Sequence, residues 1–350
     1  IEKLLPICYF CRNTQKMQAI IPVAGAGTRL RPLTYTQPKV LIAVAGKPIL
    51  SYIIDNLKKN GVTRFVFVVG YLGEKIREFV QKNYADLDVH FVEQESRDGL
   101  GHAIFCAKDL VNMNDELVIQ LGDTILEADF KAITSMPNST LCVKKVEDPR
   151  TFGVAELDED GWILNLVEKP MIPKSNMALV GFYYIKETQK LFDALYQNIS
   201  ENKRINNEFY LTDGLQRMLA EGVKFKSYKV EHWFDVGKKD ILLETNEILL
   251  KRSNDISQKD RKLHNSIVIE PCFIAQNAVI KNSIIGPFVT VGENAELNYS
   301  IIKNSIIGNF TRLENVVLNK SLIGSDSMIT GLSQSLNIGD NTEIDLRGEK

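Results

Sequence analysis

The residues best equipped for chemistry lie between positions 20 and 39, IIPVAGAGTRLRPLTYTQPK. An apolar run, Gln18 to Val23, reads as a short buried strand, and it ends in Ala24, Gly25, Ala26, Gly27 and Thr28. A turn of small residues directly after a strand lets backbone N–H groups approach a phosphate, because no Cβ stands in the way. Arg29 and Lys39 add two positive charges at the same end of the strand. A guanidinium suits two-pronged phosphate contact and an ammonium a point contact. The run is not the lysine-ended phosphate loop, since no Gly-Lys-Ser/Thr follows the glycines. It also lacks the third glycine of the dinucleotide fingerprint. Taken alone, it fits an ordinary strand-to-helix turn equally well.

Five further stretches carry polar groups, four of them at strand ends. Gln94 to Ala103, QESRDGLGHA, offers an amide with one donor and one acceptor, suited to a pyrimidine edge, and Gly99 would let backbone approach a base. A polar loop opening a helix has the same composition. Asp123, in Leu121-Gly122-Asp123-Thr124, is either a turn or cap aspartate or a ligand for Mg²⁺, which takes few protein carboxylates. Asp235, in Trp233-Phe234-Asp235-Val236-Gly237, is a second such carboxylate. Glu168-Lys169 before Pro170 reads as a solvated pair or as a ligand clamp, and Glu208 to Asp213 reads as a helix cap.

Gly25-x-Gly27-Thr28-Arg29-Leu30-x-Pro32-Leu33-Thr34, followed by Pro38-Lys39, resembles the signature of the sugar-1-phosphate nucleotidylyltransferases. The resemblance covers about residues 17–345 and is strongest to the long-form thymidylyltransferases of glucose 1-phosphate. These carry a C-terminal solenoid and match Arg31 to Thr36 and the Leu336 to Asp340 ending. It implies nucleotide binding by Ala24, Gly25, Gly27, Thr28, Gln94 and Gly99, and sugar binding by Gly153, Glu168 and Gly181, with the Glu208 to Asp213 run lining the sugar pocket. It implies catalytic charges on Arg29, Lys39 and Lys169, and Mg²⁺ on Asp123 and Asp235. The expected substrates are dTTP and glucose 1-phosphate. Pro22-Val23-Ala24-Gly25 departs from that subfamily toward the UTP-using enzymes, so uracil, and guanine with mannose, stay open.

The elements that must position these residues are legible in outline. Strands at 18–23, 64–69, 89–92 and 117–121 alternate with helices from Lys47 to Asn60, Gly73 to Tyr84 and Gly99 to Leu110. This pattern gives an α/β domain with a largely parallel sheet, whose ligands gather at the strand carboxyl ends. From Ser139 strands dominate with few helices, at 139–146, 153–157 and 164–167 and around Val180 to Tyr183. A helix follows the Glu208 run to Glu221, and another closes the domain at 239–250. Past Asn265 the chain repeats an aliphatic residue followed by a small one, as in Ile285-Gly286, Ile307-Gly308, Ile323-Gly324 and Ile338-Gly339. Such a six-residue repeat means a β-solenoid. The fold class is therefore α/β. By resemblance it is a Rossmann-like nucleotidyltransferase domain with a mixed central sheet, followed by a left-handed parallel β-helix of hexapeptide repeats. The expected division is an extension at 1–16, a catalytic domain at 17–250, a linker at 251–264 and the β-helix at 265–346.

Composition excludes several classes. A net charge of −2 over 350 residues gives no basic excess for nucleic acid, and no apolar run is long enough to span a bilayer. Five scattered cysteines argue for a reducing, cytoplasmic setting rather than a disulfide scaffold. Cys8 and Cys11 have no second pair with which to complete a zinc site. No histidine falls within the repeats, which argues against an acyltransferase there and for a role in packing or in a homo-oligomer. The rival classes are a catalytically silent regulatory subunit and a nicotinamide-dependent dehydrogenase.

Overall fold

The structure, a computed structural model, describes residues 16–252 and 262–332. The extension apart from Lys16, with Cys8 and Cys11, lies outside the described residues, as do residues 253–261 and the repeat at Ile338 with the Leu336 to Asp340 ending. The chain divides into two units, residues 1–245 and 246–350.

The first unit alternates as expected. In order come β1 (Met17–Pro22), the short β2 (Ala43–Val44) and β3 (Lys47–Pro48), α1 (Ile49–Lys59), β4 (Val62–Val69) and α2 (Gly73–Asn83). After these come β5 (Asp88–Glu93), α3 (Leu100–Cys106) and β6 (Glu116–Gln120). Phe65 to Val69 are all buried, the uninterrupted apolar run of a parallel strand covered on both faces. On α1, Ile49, Leu50, Ile53, Ile54 and Leu57 recur at helical spacing and are all buried. Strands β6, β1, β4 and β5 lie side by side and parallel, so their carboxyl ends share one edge.

The later half adds β7 (Thr124–Glu127), α4 (Phe130–Thr134), β8 (Ser139–Lys145), β9 (Gly153–Leu157), β10 (Ile163–Glu168) and β11 (Met177–Ile185). It continues with α5 (Thr188–Ser200), α6 (Leu211–Ala220), β12 (Phe225–Lys229), β13 (His232–Asp235) and α7 (Lys239–Arg252). β11 joins the sheet antiparallel to β6, and β8, β9 and β10 follow antiparallel. The nine-stranded sheet is therefore mixed. Helices α3, α5 and α6 pack on one another over a core that includes Phe192, Leu215 and Phe225.

Several expectations need correction. The helix at 99–110 ends at Cys106, and one 3₁₀ turn covers Lys108–Leu110. α5 is a full helix between strands. Its apolar residues Leu191, Phe192 and Leu195 had the spacing to announce it. α6 starts after Tyr210 with no side-chain cap, so the Glu208 to Asp213 run does not act as a capping box. α7 reaches Arg252 and the first solenoid strand starts at Lys262, which shortens the expected linker at both ends.

The second unit is a parallel β-helix, left-handed in its hexapeptide class. One inward column stacks Leu263, Ile280, Leu297, Leu313 and Ile329, stepping 16 or 17 residues per coil. Two more columns run Val268, Ile285, Ile302, Leu318 and Ile274, Val291, Ile307, Ile323. Corners turn on residues with positive φ, among them Asn265, Asn282, Asn294, Asn304 and Asn315. Asparagine tolerates the left-handed region better than other residues with side chains. Serines tie coils together: the Ser283 amide donates to Ser266 Oγ at 3.1 Å, and the Ser300 amide to Ser283 Oγ at 3.0 Å.

The columns set a difference in cost between neighbouring positions. Leu297→Ala, in mid-column, is expected to destabilise by about 2–5 kcal/mol. Lys281→Ala, on the exposed face, is expected to stay within ~0.5 kcal/mol. Urea denaturation of the three proteins checks this, and equal midpoints would refute the stacked-column account.

Candidate active site

The turn after β1 leaves the sheet at its carboxyl edge. Gly25 has no atom within 4 Å of where a Cβ would stand, so its backbone faces open space. Gly27 has φ +61, and a Cβ there would meet Thr34 Cγ2 at 2.9 Å. The Thr34 hydroxyl donates to the Gly27 carbonyl at 2.8 Å and holds the turn closed. Thr28, Arg29 and Leu30 form a single 3₁₀ turn, with Arg29 exposed.

Asp123 stands in the turn between β6 and β7. β13 pairs antiparallel with β7, with Asp235 opposite Thr124, and the Val236 amide donates to the Asp123 carbonyl at 3.1 Å. This ladder brings two carboxylates together from distant parts of the sequence. Burial and the Asp123 charge push the proton affinity of Asp235 up, while Lys39 and Arg29 oppose the shift. Lys39 Nζ bonds Asp123 Oδ2 at 2.5 Å. The oxygen-only pair fits a hard divalent cation, since Mg²⁺ takes one or two carboxylates and fills its shell with water and phosphate oxygens. Among the described residues no cluster of three or more His, Cys, Asp or Glu occurs.

A cavity of about 340 Å³ opens beside this pair. Of the expected residues it is lined by Ala24, Gly25, Lys39, Gln94, Gly99 and Asp123, and Gly27, Thr28, Arg29 and Asp235 are not in its wall. Gln94 is almost fully buried, and its amide nitrogen donates to the Gly99 carbonyl at 3.0 Å. Gln94 therefore braces the loop as well as facing the cavity. Gly99 has φ +97, and a Cβ there would sit 2.6 Å from the Phe209 carbonyl oxygen. The glycine is demanded by this backbone approach.

A second group lies where β10 ends. Thr212 donates to Glu168 Oε2 at 2.6 Å, and a Cβ on Gly153 would lie 3.0 Å from the same oxygen. Burial raises the proton affinity of Glu168, against the Thr212 hydrogen bond and Lys169, and with help from Asp213 and Glu208. Lys169 adopts φ +43, a sparsely populated region for a side-chain-bearing residue. Its ammonium lies 4.6 Å from the centre of the Tyr210 ring. Gly181 stands apart: Leu121 fills the place its Cβ would take, at 2.7 Å, so the glycine accommodates a protein side chain.

Sequence reasoning did not single out Arg97 and Glu208, which also line the cavity, or Tyr210 and Thr212, which hold Lys169 and Glu168. Arg97 lies in the Gln94 to Ala103 loop, and the other three lie in the Glu208 to Asp213 run, where the sequence alone does not tell their contacts apart. Gly237 also gains a place: a Cβ there would be 3.1 Å from Asp235 Oδ1 and 3.9 Å from Arg29 Nη1.

The family described as Nucleotidyl transferase matches residues 18–252, and the GlmU-like C-terminal hexapeptide family matches residues 251–346. The low-salt glycan biosynthesis nucleotidyltransferase Agl11 of Haloferax volcanii is 34% identical, covering 94% of this chain and 100% of its own. A glucose-1-phosphate thymidylyltransferase of Streptomyces antibioticus is 29% identical, covering 95% of this chain and 100% of its own. The solved structure of UDP-glucose pyrophosphorylase complexed with UDP-glucose superposes with a TM-score of 0.58 at 23% identity, over 68% of this chain and 99% of that one, a likeness of fold.

The carboxylate pair makes a prediction about stability. Asp235 binds its proton more tightly folded than unfolded. Its charge therefore opposes folding increasingly as pH rises above the ordinary value of 3.8. Asp235→Asn is expected to raise the thermal midpoint at pH 7, by an amount that shrinks as pH falls toward 3.8. Calorimetry across that range checks it. A lowered midpoint at pH 7 would mean that Lys39 and Arg29 more than compensate the charge.

Proposed function

Because the chain belongs to the nucleotidyl transferase family and has the activity of a sugar-1-phosphate nucleotidyltransferase, we propose that it joins dTTP to glucose 1-phosphate, giving dTDP-glucose and pyrophosphate. The carrying observation is the cluster of Arg29, Lys39, Asp123 and Asp235 beside a cavity whose far wall is Gln94 and Gly99. The Streptomyces thymidylyltransferase, similar along nearly its whole length, supports the thymine reading.

An oxygen of the sugar phosphate attacks the α-phosphorus in line. The bond from that phosphorus to the bridging oxygen of the β-phosphate breaks, and pyrophosphate leaves with the electron pair. The nucleophile is already an anion, so the site needs no general base. The work is positioning and charge stabilisation. The backbone of Ala24, Gly25, Gly27 and Thr28 cradles the triphosphate, and Gln94 with Gly99 meets the base. Arg29 neutralises charge growing on the departing pyrophosphate, and Lys39 moves from Asp123 to the phosphates. Lys169 aims the sugar phosphate from its strained backbone position. Glu168, fixed by Thr212, accepts from sugar hydroxyls beside Gly153, and Gly181 seats Leu121, which lines the cavity. Asp123 and Asp235 would hold Mg²⁺, which supplies further charge neutralisation on the phosphate oxygens when bound.

The catalytic domain is assigned to residues 17–252 and the β-helix to 262–346. The β-helix builds a homo-oligomer in this reading, and the protein works in the cytoplasm. Pro22-Val23-Ala24-Gly25 favours UTP as the second reading of the same mechanism.

The test is pyrophosphate release from dTTP, UTP and GTP, each with glucose 1-phosphate and mannose 1-phosphate. Release is expected to be fastest with dTTP and glucose 1-phosphate and to stop when divalent cations are chelated. A UTP or GTP preference would refute the thymine assignment, and no release with any pair would favour a silent subunit. Arg29→Ala is expected to lower turnover about 10²-fold, roughly 3 kcal/mol of transition-state stabilisation. Wild-type turnover in that variant would remove Arg29 from the mechanism.

A further inference from the structure

The base-side loop and the start of α6 are fastened to each other. The Phe209 amide donates to the Asp98 carbonyl at 2.7 Å, and the Gly101 amide donates to the Phe209 carbonyl at 2.7 Å. Neither glycine of this loop could carry a side chain. A Cβ on Gly99 would strike Phe209, and one on Gly101 would lie 2.9 Å from the Tyr210 carbonyl carbon. Beyond this seam the same segment serves the sugar side, through Tyr210 beneath the Lys169 ammonium and Thr212 on Glu168. Glu208, just before the seam, lines the cavity.

One side chain braces the seam. Arg204 donates from Nη1 to Asp98 Oδ1 at 2.9 Å and from Nε to Asn202 Oδ1 at 2.9 Å. Nη1 also reaches the Asn207 carbonyl at 3.3 Å, and the guanidinium lies 4.3 Å from the centre of the Phe209 ring. The loop it spans is otherwise poorly determined by its own backbone preferences. Asn202, Asn206 and Asn207 all have positive φ, at 50°, 50° and 64°. A planar fork with several fixed donors suits such bracing better than a flexible ammonium.

We infer that Arg204 is a positioning residue for nucleotidyl transfer: through Asp98 and Phe209 it holds the base-side loop and the sugar-phosphate-side residues Tyr210 and Thr212 as one unit. The inference rests on the activity proposed above. Arg204 does not line the cavity, so its loss acts on both substrates at a distance. It predicts that one substrate's site is disturbed by a contact made at the other's.

The test is steady-state kinetics of Arg204→Ala, Arg204→Lys, Asp98→Ala and the double alanine variant, with dTTP and glucose 1-phosphate varied in turn and melting points recorded. The expected result is a rise of about tenfold in KM for both substrates in Arg204→Ala, with a smaller fall in kcat; tenfold corresponds to about 1.4 kcal/mol. Arg204→Lys should recover part of the loss. The double variant should be no worse than Arg204→Ala, because that variant has already lost the contact with Asp98. An unchanged KM for glucose 1-phosphate in both single alanine variants would overturn the inference. So would additive losses in the double variant. Should Arg204→Ala fail to fold, Asp98→Ala carries the same expectation alone. Absence of turnover in the wild type would sink the activity assignment, whereas wild-type turnover with unaffected variants would sink only the role of Arg204.

Discussion

The pairing of β7 with β13 is the contact on which the site depends. It places Asp235 opposite Thr124 and therefore beside Asp123. Burial of this corner, and after it the repulsion between the two carboxylates, raises the proton affinity of Asp235. Lys39 offsets part of it directly and Arg29 part of it across the corner. The arrangement is least comfortable when empty of other ions. Phosphates would draw the cations away, and a divalent cation would replace them on the carboxylates. A corner whose charges are unsatisfied alone is preorganised for charged ligands, in keeping with the use of electrostatic preorganisation in catalysis.

The sugar side is built on a different compromise. Glu168 and Asp213 are both half-buried carboxyl groups whose proton affinities are raised by burial. Only Glu168 has a hydroxyl donor, Thr212, and Asp213 Oδ2 is buried without a partner. Lys169 lies next to this group at a backbone angle that costs energy and persists only because the surroundings impose it. Its amide bonds the Phe152 carbonyl at 3.0 Å, which ties β10 to the chain before β9 at the point of strain.

Much of this was legible in the sequence because it is local. The strand, the small-residue turn and Arg29 lie within a dozen positions, and buried runs such as Phe65 to Val69 declare parallel strands. The solenoid announced itself through repetition, since each aliphatic residue of a column recurs one coil later. What escaped depends on contacts between distant segments. Nothing around Glu208 says that it lines the same cavity as Gln94, or that Phe209 needs Gly99 to be bare. Gly181 was read as space for a ligand, yet the space belongs to Leu121, a residue on another strand's end. The helix α5 was legible in the spacing of Leu191, Phe192 and Leu195, whereas the expected cap on α6 fails because the cap position falls on Tyr210, which makes no side-chain cap bond.

The serine and asparagine contacts of the β-helix make it a structure with a natural unit of length. Ser266, Ser283 and Ser300 occupy equivalent places on successive coils, each accepting from the amide of the next. Every inward column obeys the same period. Excising a whole coil would rejoin the chain with an aliphatic residue still under an aliphatic residue and a positive-φ corner residue, asparagine at several positions, still at a corner. Evolution can therefore set the reach of this part of the molecule in whole steps, like adding or removing links from a chain, without redesigning the interior.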